Sequence, residues 1–270
     1  MQIGVSTYTY TWSFGVPGSE PKVKMTPYDL IRRASEFGID CIQIADNYPL
    51  HQLTDTELHT LMEYAHQIGI TIEVGSRGLT GENLEKYLKI AEKLYSPILR
   101  MVIDQENYRP EPEDVVAIIR NALPELKARN IILALENHDR LHAKVFREIV
   151  ESIASEFAGI CLDCINSMGI GEGIETVIDI LAPYTVNLHV KDFNVKRVYH
   201  KMGFIIEGTP AGKGLLNMEM ILEKLSKNSK CRSAILELWT PPEQNIELTV
   251  AKEHRWAIES IGYMKKMILK

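Results

Sequence analysis

The sequence predicts an α/β fold, a single-domain (β/α)8 TIM barrel, and three observations carry that expectation. Eight short runs rich in Val, Ile and Leu recur along the 270 residues, amphipathic stretches separate them, and no glycine fingerprint follows the first run. The runs are QIGVSTY from residue 2, CIQIAD from 41, TIEVGS from 71, ILRMVID from 98, IILALEN from 131, GICLDC from 159, VNLHVKD from 186 and AILELW from 234. Their starts lie 27 to 48 residues apart, the span of one strand and its returning helix. Such alternation implies a parallel sheet with helical crossovers, and eight units in about 250 residues suit a closed barrel.

The intervening stretches TPYDLIRRASEFG (26 to 38), TDTELHTLMEYAHQIG (54 to 69) and PEDVVAIIRNALPELKARN (112 to 130) start on Thr or Pro and end on Gly or Asn. A doubly wound open sheet is the alternative architecture, and it would place a Gly-rich turn after the first strand. The chain has the long loop TYTWSFGVPGSEPKVKM there instead. No Pro/Gly/Ser-rich linker divides the chain, so residues 1–270 read as one domain. A second long loop runs from about 192 to 216, and both belong on the face where barrel enzymes build their sites.

Composition narrows the partners. Thirty Lys and Arg against 36 Asp and Glu give a net charge of −6 and a pI near 5.8, which argues against a nucleic-acid partner. Hydrophobic residues at 45% supply a large core. Four scattered cysteines form no disulfide framework, so a reducing cytoplasm is expected. The first 19 residues lack charge but are rich in Ser, Thr, Gly and Tyr without a basic start, so they read as strand and loop rather than as a signal peptide. No apolar run approaches the ~18 residues that span a bilayer, so no membrane partner is expected. A homo-oligomer is compatible with the sequence.

Side-chain parity locates the chemistry, because residues i and i+2 of a strand share a face. In IILALEN, Ile132, Ala134 and Glu136 share one face, and in GICLDC, Cys161 and Asp163 do. VNLHVKD groups Asn187, His189 and Lys191, and AILELW groups Ile235, Glu237 and Trp239. Four successive strands thus end in Glu136, Asp163, His189 and Glu237, all pointing into the barrel. Inward carboxylates need a cation to compensate their burial. The donor set suits one divalent ion, with Mn²⁺, Co²⁺ or Mg²⁺ favoured and Zn²⁺ admissible.

Other motifs read as structure. Cys161 and Cys164, three apart on a strand, point to opposite faces and form neither clip nor bridge. The run GIGEG (169 to 173) reads as a flexible loop, with a phosphate cradle as the alternative. His59, Glu63 and His66 read as a solvated helix face.

The segments LALENH (133 to 138), ICLDCIN (160 to 166), NLHVKD (187 to 192), PAGKGLLN (210 to 217) and ILELW (235 to 239) resemble the xylose-isomerase-like TIM-barrel superfamily of sugar isomerases and epimerases. The resemblance implies that Glu136, Asp163, His189 and Glu237 bind one metal, and that Glu136 and Glu237 are also the catalytic acid and base. It implies a small sugar or sugar-acid substrate and an isomerase or epimerase reaction through a metal-stabilised enediolate. His138 and Lys191 share parity with ligands and are expected to border the substrate, as is Asn166 in the loop after strand six. Endonuclease IV, in the same superfamily, has Asp-x-x-His where this chain has Asp163-Cys164-Ile165-Asn166, so a trinuclear zinc nuclease is not expected. The stretch from Met202 to Gly212 and Trp239 to Glu243 look more like a subgroup of 3-oxo-isoapionate decarboxylases. That alternative reaction leaves the same enediolate and asks for a cation at the substrate carboxylate, for which Lys191, Arg197 and Lys213 are candidates. A non-catalytic sugar-binding barrel is the third reading.

Overall fold

The structure, a computed structural model, describes residues 1–138, 140–228 and 230–269. Among the described residues ten strands run in chain order: β1 (Gln2–Ser6), β2 (Cys41–Ile44), β3 (Thr71–Arg77), β4 (Ile98–Val102), β5 (Ile132–Glu136), β6 (Ala158–Asp163), β7 (Thr185–Val190), β8 (Phe193–Arg197), β9 (Phe204–Gly208) and β10 (Ser233–Leu236). Eight of them close a parallel barrel in the order β1-β10-β7-β6-β5-β4-β3-β2, the (β/α)8 fold expected from the spacing. The remaining two form a separate antiparallel ribbon inside the long loop after β7. That loop reads as structureless in sequence, because FNVKR and FIIEG are short and lie among charges and glycines.

The helices α1 (Thr11–Phe14), α2 (Pro27–Phe37), α3 (Asp55–Ile68), α4 (Gly81–Lys93), α5 (Pro112–Arg129), α6 (Ala143–Ile153), α7 (Ile174–Leu181), α8 (Met218–Asn228) and α9 (Ile246–Ile268) lie between and after the strands. Their ends are written in the sequence. Thr26 with Asp29 and Thr54 with Glu57 form reciprocal caps at the starts of α2 and α3, and Gly38 and Gly69 end them in the left-handed region. The apolar faces of these helices pack on the barrel, in a core that includes Leu30, Ile31, Leu58, Leu61, Ile119, Phe146 and Ile261. His59 and Glu63 pair on the exposed face of α3, as a solvated surface would. No helix among the described residues is long and apolar enough to cross a membrane.

One buried carboxylate fastens the loop after β1. Glu253 of α9 accepts hydrogen bonds from Trp12 N (3.0 Å), Ser13 N (3.1 Å) and Ser13 Oγ (2.7 Å), satisfying free donors at the start of α1. Trp12 Nε1 then donates to Thr240 O at 2.8 Å, which ties the loop to the segment after β10. Burial, only partly offset by the Ser13 and Trp12 donors, pushes the Glu253 carboxyl up to about 7 from an ordinary 4.5.

Because the folded-state value is raised, the stabilisation is full below pH ~4.5 and is lost as pH rises through ~7, on the order of 3 kcal/mol in all. Urea unfolding at pH 5 and pH 8 will therefore show the wild type losing on the order of 3 kcal/mol more than Glu253→Gln across that interval. Equal pH dependence in the two proteins would show that Glu253 titrates like an ordinary glutamate.

Candidate active site

The four residues singled out by parity meet at the C-terminal end of the barrel. Glu136 closes β5, Asp163 closes β6 and His189 lies in β7, where Asp163 and His189 are register partners. Glu237 sits one residue beyond β10, held by its own N–H donating to Val190 O at 3.0 Å. All four are buried.

His189 is oriented from below. Its Nε2 lies 2.9 Å from Gln43 Oε1, while Gln43 Nε2 donates to Glu73 Oε2 at 3.1 Å and to Asn187 Oδ1 at 3.2 Å. Glu73 also accepts from Asn187 Nδ2 (3.0 Å) and Ser233 Oγ (2.5 Å). With its amide group committed to these acceptors, Gln43 presents oxygen to the imidazole, so the network assigns the proton to Nε2 and leaves Nδ1 facing the site. His189 Nδ1 is buried without a hydrogen-bond partner among the described residues, 3.4 Å from Glu237 Oε1 and 3.5 Å from Glu136 Oε2. A proton on Nδ1, or a metal ion in front of it, would satisfy that nitrogen and both carboxylates.

The donor set fits a divalent ion. Asp163, His189 and Glu237 each offer an atom within 4.8 Å of the others, and so do Glu136, Cys161 and His189. Cys161 is the weakest of these donors: burial and the nearby Glu136 charge push its thiol pKa well up, and Sγ already donates to Asn187 Oδ1 at 3.0 Å. Asp163 is pre-set by Ile165 N (2.8 Å) and Asn166 N (3.0 Å) on Oδ1, which leaves Oδ2 toward the centre.

Cations already brace these carboxylates. Arg100 of β4, 2% exposed, donates through Nε to Glu136 and through Nη1 to Asp46 Oδ1 at 2.7 Å. A Cβ on Gly75 of β3 would lie 3.1 Å from Ala45 Cα and 3.3 Å from Ile44 O, so the missing side chain there lets β3 approach the backbone that leads to Asp46. Asp46 also accepts from Tyr8 Oη (3.1 Å) and Arg77 Nε (3.1 Å). Burial opposes ionisation of Asp46, yet Arg100 and Arg77 hold its carboxyl down at about 2. Burial likewise opposes ionisation of Glu136 and Glu237, and Arg100 for the first, and His189 when its Nδ1 also carries a proton together with Lys191 for the second, hold both below the usual carboxylate range. Lys191 Nζ bridges Asp163 Oδ2 (2.7 Å) and Glu237 Oε2 (2.9 Å); despite burial, these charges raise its pKa and keep it an ammonium.

A cavity of about 660 Å³ opens above this cluster. Tyr8, Trp12, Arg77, His138, Asn166, Lys191 and Trp239 line it together with Glu136 and Glu237, so the expected border residues His138, Asn166 and Lys191 are all present. Asn166 Nδ2 donates to Glu136 Oε1 at 2.9 Å. Arg197 stands elsewhere: it is exposed on the ribbon, stacked 4.4 Å over Phe204 and donating to Lys201 O, and it lines neither this cavity nor its neighbour. The base of the ribbon roofs the site through Ile206, Glu207 and Gly208. Gly208 lies against Trp239, where an added Cβ would come within 2.1 Å of the Trp239 carbonyl oxygen.

Gln43, Asp46, Glu73, Arg77 and Arg100 are the residues that motif reading missed. Gln43 and Arg100 are lone polar residues in the apolar runs CIQI and ILRMV, and Glu73 and Arg77 share the inward parity of TIEVGSR.

Three carboxylates and an imidazole gathered at the strand ends of a closed parallel barrel define a TIM barrel with a candidate metal centre. The chain belongs to the xylose isomerase-like TIM barrel family, whose model matches residues 31–267. It is 32% identical over 266 residues to 3-oxo-isoapionate decarboxylase of Pectobacterium atrosepticum, covering 98% of this chain and 95% of the relative. Among solved structures, D-psicose 3-epimerase with D-tagatose from Clostridium cellulolyticum H10 superposes with a TM-score of 0.73 at 16% identity over 99% of both chains. A xylose isomerase-like TIM barrel protein from Mycobacterium smegmatis in complex with magnesium gives 0.67 at 13% identity over 96% of each.

Removing one member of a buried ion pair strands the other. Lys191→Met in chelator-treated protein will thus lower stability by about 3–5 kcal/mol in urea unfolding. A loss below about 1 kcal/mol, the worth of an exposed pair, would mean that solvent screens this bridge.

Proposed function

We propose that the chain, residues 1–270 acting as one domain, is a divalent-metal-dependent decarboxylase of a 3-oxo sugar acid. The observation that carries this reading is Arg77 at the cavity, a cationic side chain beside Arg100 and Lys191 that is only partly committed to a carboxylate and that a neutral sugar would not require. The full-length match to a decarboxylase of that class supports it. Epimerisation of a neutral sugar, the first expectation from sequence, uses the same donors without needing the third cation.

Glu136, Asp163, His189 and Glu237 would hold the ion, with His189 Nδ1 as its nitrogen ligand. Mn²⁺, Co²⁺ or Mg²⁺ suits three carboxylates and one imidazole, and Zn²⁺ is also accommodated. When bound, the ion supplies Lewis-acid polarisation of substrate oxygens. His138, Asn166 and Lys191 border the substrate, and Trp12 and Trp239 wall it. Cleavage of the bond to the carboxyl carbon releases CO₂ and leaves its electron pair on the carbon beside the ketone, as an enediolate. A proton delivered to that carbon completes the reaction, and Glu136 and Glu237, approaching His189 from β5 and from beyond β10, are the carboxyl groups that relay it from solvent. Lys191 keeps Glu237 and Asp163 in place through this exchange. Arg197 takes no part in this scheme.

Two measurements test the reading. Elemental analysis of protein purified without chelator will find about one divalent ion per chain, and Asp163→Ala will lose it; no metal in the wild type even after Mn²⁺ is restored would sink the scheme. Supplied with a 3-oxo sugar acid in D₂O, the Mn²⁺-loaded protein will release CO₂ and place one deuterium on the adjacent carbon. Deuterium uptake into ketoses without CO₂ from any 3-oxo acid would establish an epimerase instead.

A further inference from the structure

We propose that Arg77 anchors the carboxylate of the substrate, an inference that rests on the sugar-acid reading above. Three cations line the cavity, and two are committed. Arg100 is 2% exposed and clamped between Glu136 and Asp46, and Lys191, 7% exposed, is clamped between Asp163 and Glu237. Arg77 is 32% exposed, and its ion pair among the described residues, Nε to Asp46 Oδ2 at 3.1 Å, uses an edge of a carboxylate already shared with Arg100. Nη2 lies 3.4 Å from His138 Nε2, and Nη1 makes no hydrogen bond among the described residues. The guanidinium is therefore held in orientation by Asp46 while part of its donor fork faces the cavity, the geometry that binds a planar carboxylate.

Charge agrees with geometry. Asp46, Glu136, Asp163 and Glu237 face Arg77, Arg100 and Lys191, four negative charges against three positive. A divalent ion turns that deficit of one into a surplus of one, which a monoanionic sugar acid neutralises. The adjoining cavity of about 520 Å³ shares Arg77, Glu136 and His138 with the first, and its Arg140 is closed off by both oxygens of Asp104 at 2.8 Å. Arg77 thus stands at the junction of the two spaces.

The kinetic signature follows from the chemistry. The carboxylate loses its charge as it becomes CO₂, so the bond to Arg77 is strongest before the reaction and weakens toward the transition state. Removing it costs binding and not turnover.

The experiment compares Mn²⁺-loaded wild type and Arg77→Gln for calorimetric binding of L-threonate, an unreactive sugar acid, and of L-erythrulose, a neutral ketose. The anchor predicts threonate affinity about 30-fold weaker in Arg77→Gln with erythrulose and Mn²⁺ binding unchanged, and KM for a 3-oxo sugar acid raised with kcat retained. Arg77→Lys, which keeps the charge without the fork, will show the same pattern at smaller size and decides the matter if Arg77→Gln does not fold. Equal threonate affinity in wild type and variants, a parallel loss of Mn²⁺ or erythrulose binding, or a fall in kcat at constant KM would each overturn the anchor. Arg77-dependent threonate binding in a protein that releases no CO₂ would keep the anchor and reject decarboxylation alone.

Discussion

A guanidinium buried at 2% exposure, between the carboxylates of Glu136 and Asp46, is the interaction on which the upper end of the barrel depends. Its desolvation is costly, and a buried pair of this kind is weak evidence for added stability. What Arg100 provides is position. It fixes Glu136 on β5 from one side and Asp46, just past β2, from the other, and Asp46 then aligns Tyr8 and Arg77. Groups from the ends of β1, β2, β3, β4 and β5 are thereby referred to one side chain. Gly75 of β3 lies beneath that arrangement, where an added Cβ would press on the Ile44 and Ala45 backbone that leads to Asp46.

The barrel was legible because each of its parts is local. Runs of Val, Ile and Leu, capping residues such as Thr26 and Thr54, and terminal glycines such as Gly38 and Gly69 all announce themselves within a few residues. Strand parity also brought Glu136, Asp163, His189 and Glu237 together, because inward alternation holds in any closed barrel. Parity stopped short where the partner lies far along the chain. Nothing in ILRMV says that Arg100 reaches Asp46, 54 residues earlier, and nothing in CIQI says that Gln43 turns its amide oxygen toward His189, 146 residues later. Arg197 misled for a related reason. Its charge and loop position suit an anion, but pairing of β8 with β9 carries it outward onto Phe204. A ribbon of five-residue strands among glycines and charges has too little apolar periodicity to be seen beforehand.

The same donor set serves proton abstraction and CO₂ loss, because either leaves an electron pair on a carbon next to a carbonyl. The distinction between such reactions lies in what surrounds the donors, and here that surround is built from separate pieces. The ribbon is hydrogen-bonded as a sheet of its own and meets the cavity through Ile206, Glu207 and Gly208, while Trp239 enters from the segment after β10. Gly208 packs directly against Trp239, so roof and wall are joined at this point. In the proposed scheme the barrel supplies the donors, and these attachments shape the space above them.

The chain of contacts from Glu73 through Gln43 to His189 has one more consequence. Glu73 touches neither the cavity nor the cluster above it, yet its carboxylate dictates which end of the Gln43 amide points upward, and so which imidazole nitrogen keeps a lone pair. A harmless-looking exchange at Glu73 that let the amide turn over would disarm His189 without displacing it. For this architecture, distance from the reacting atoms is a poor guide to which inherited changes are tolerated: a residue at the bottom of the barrel writes the electronic state of one at the top.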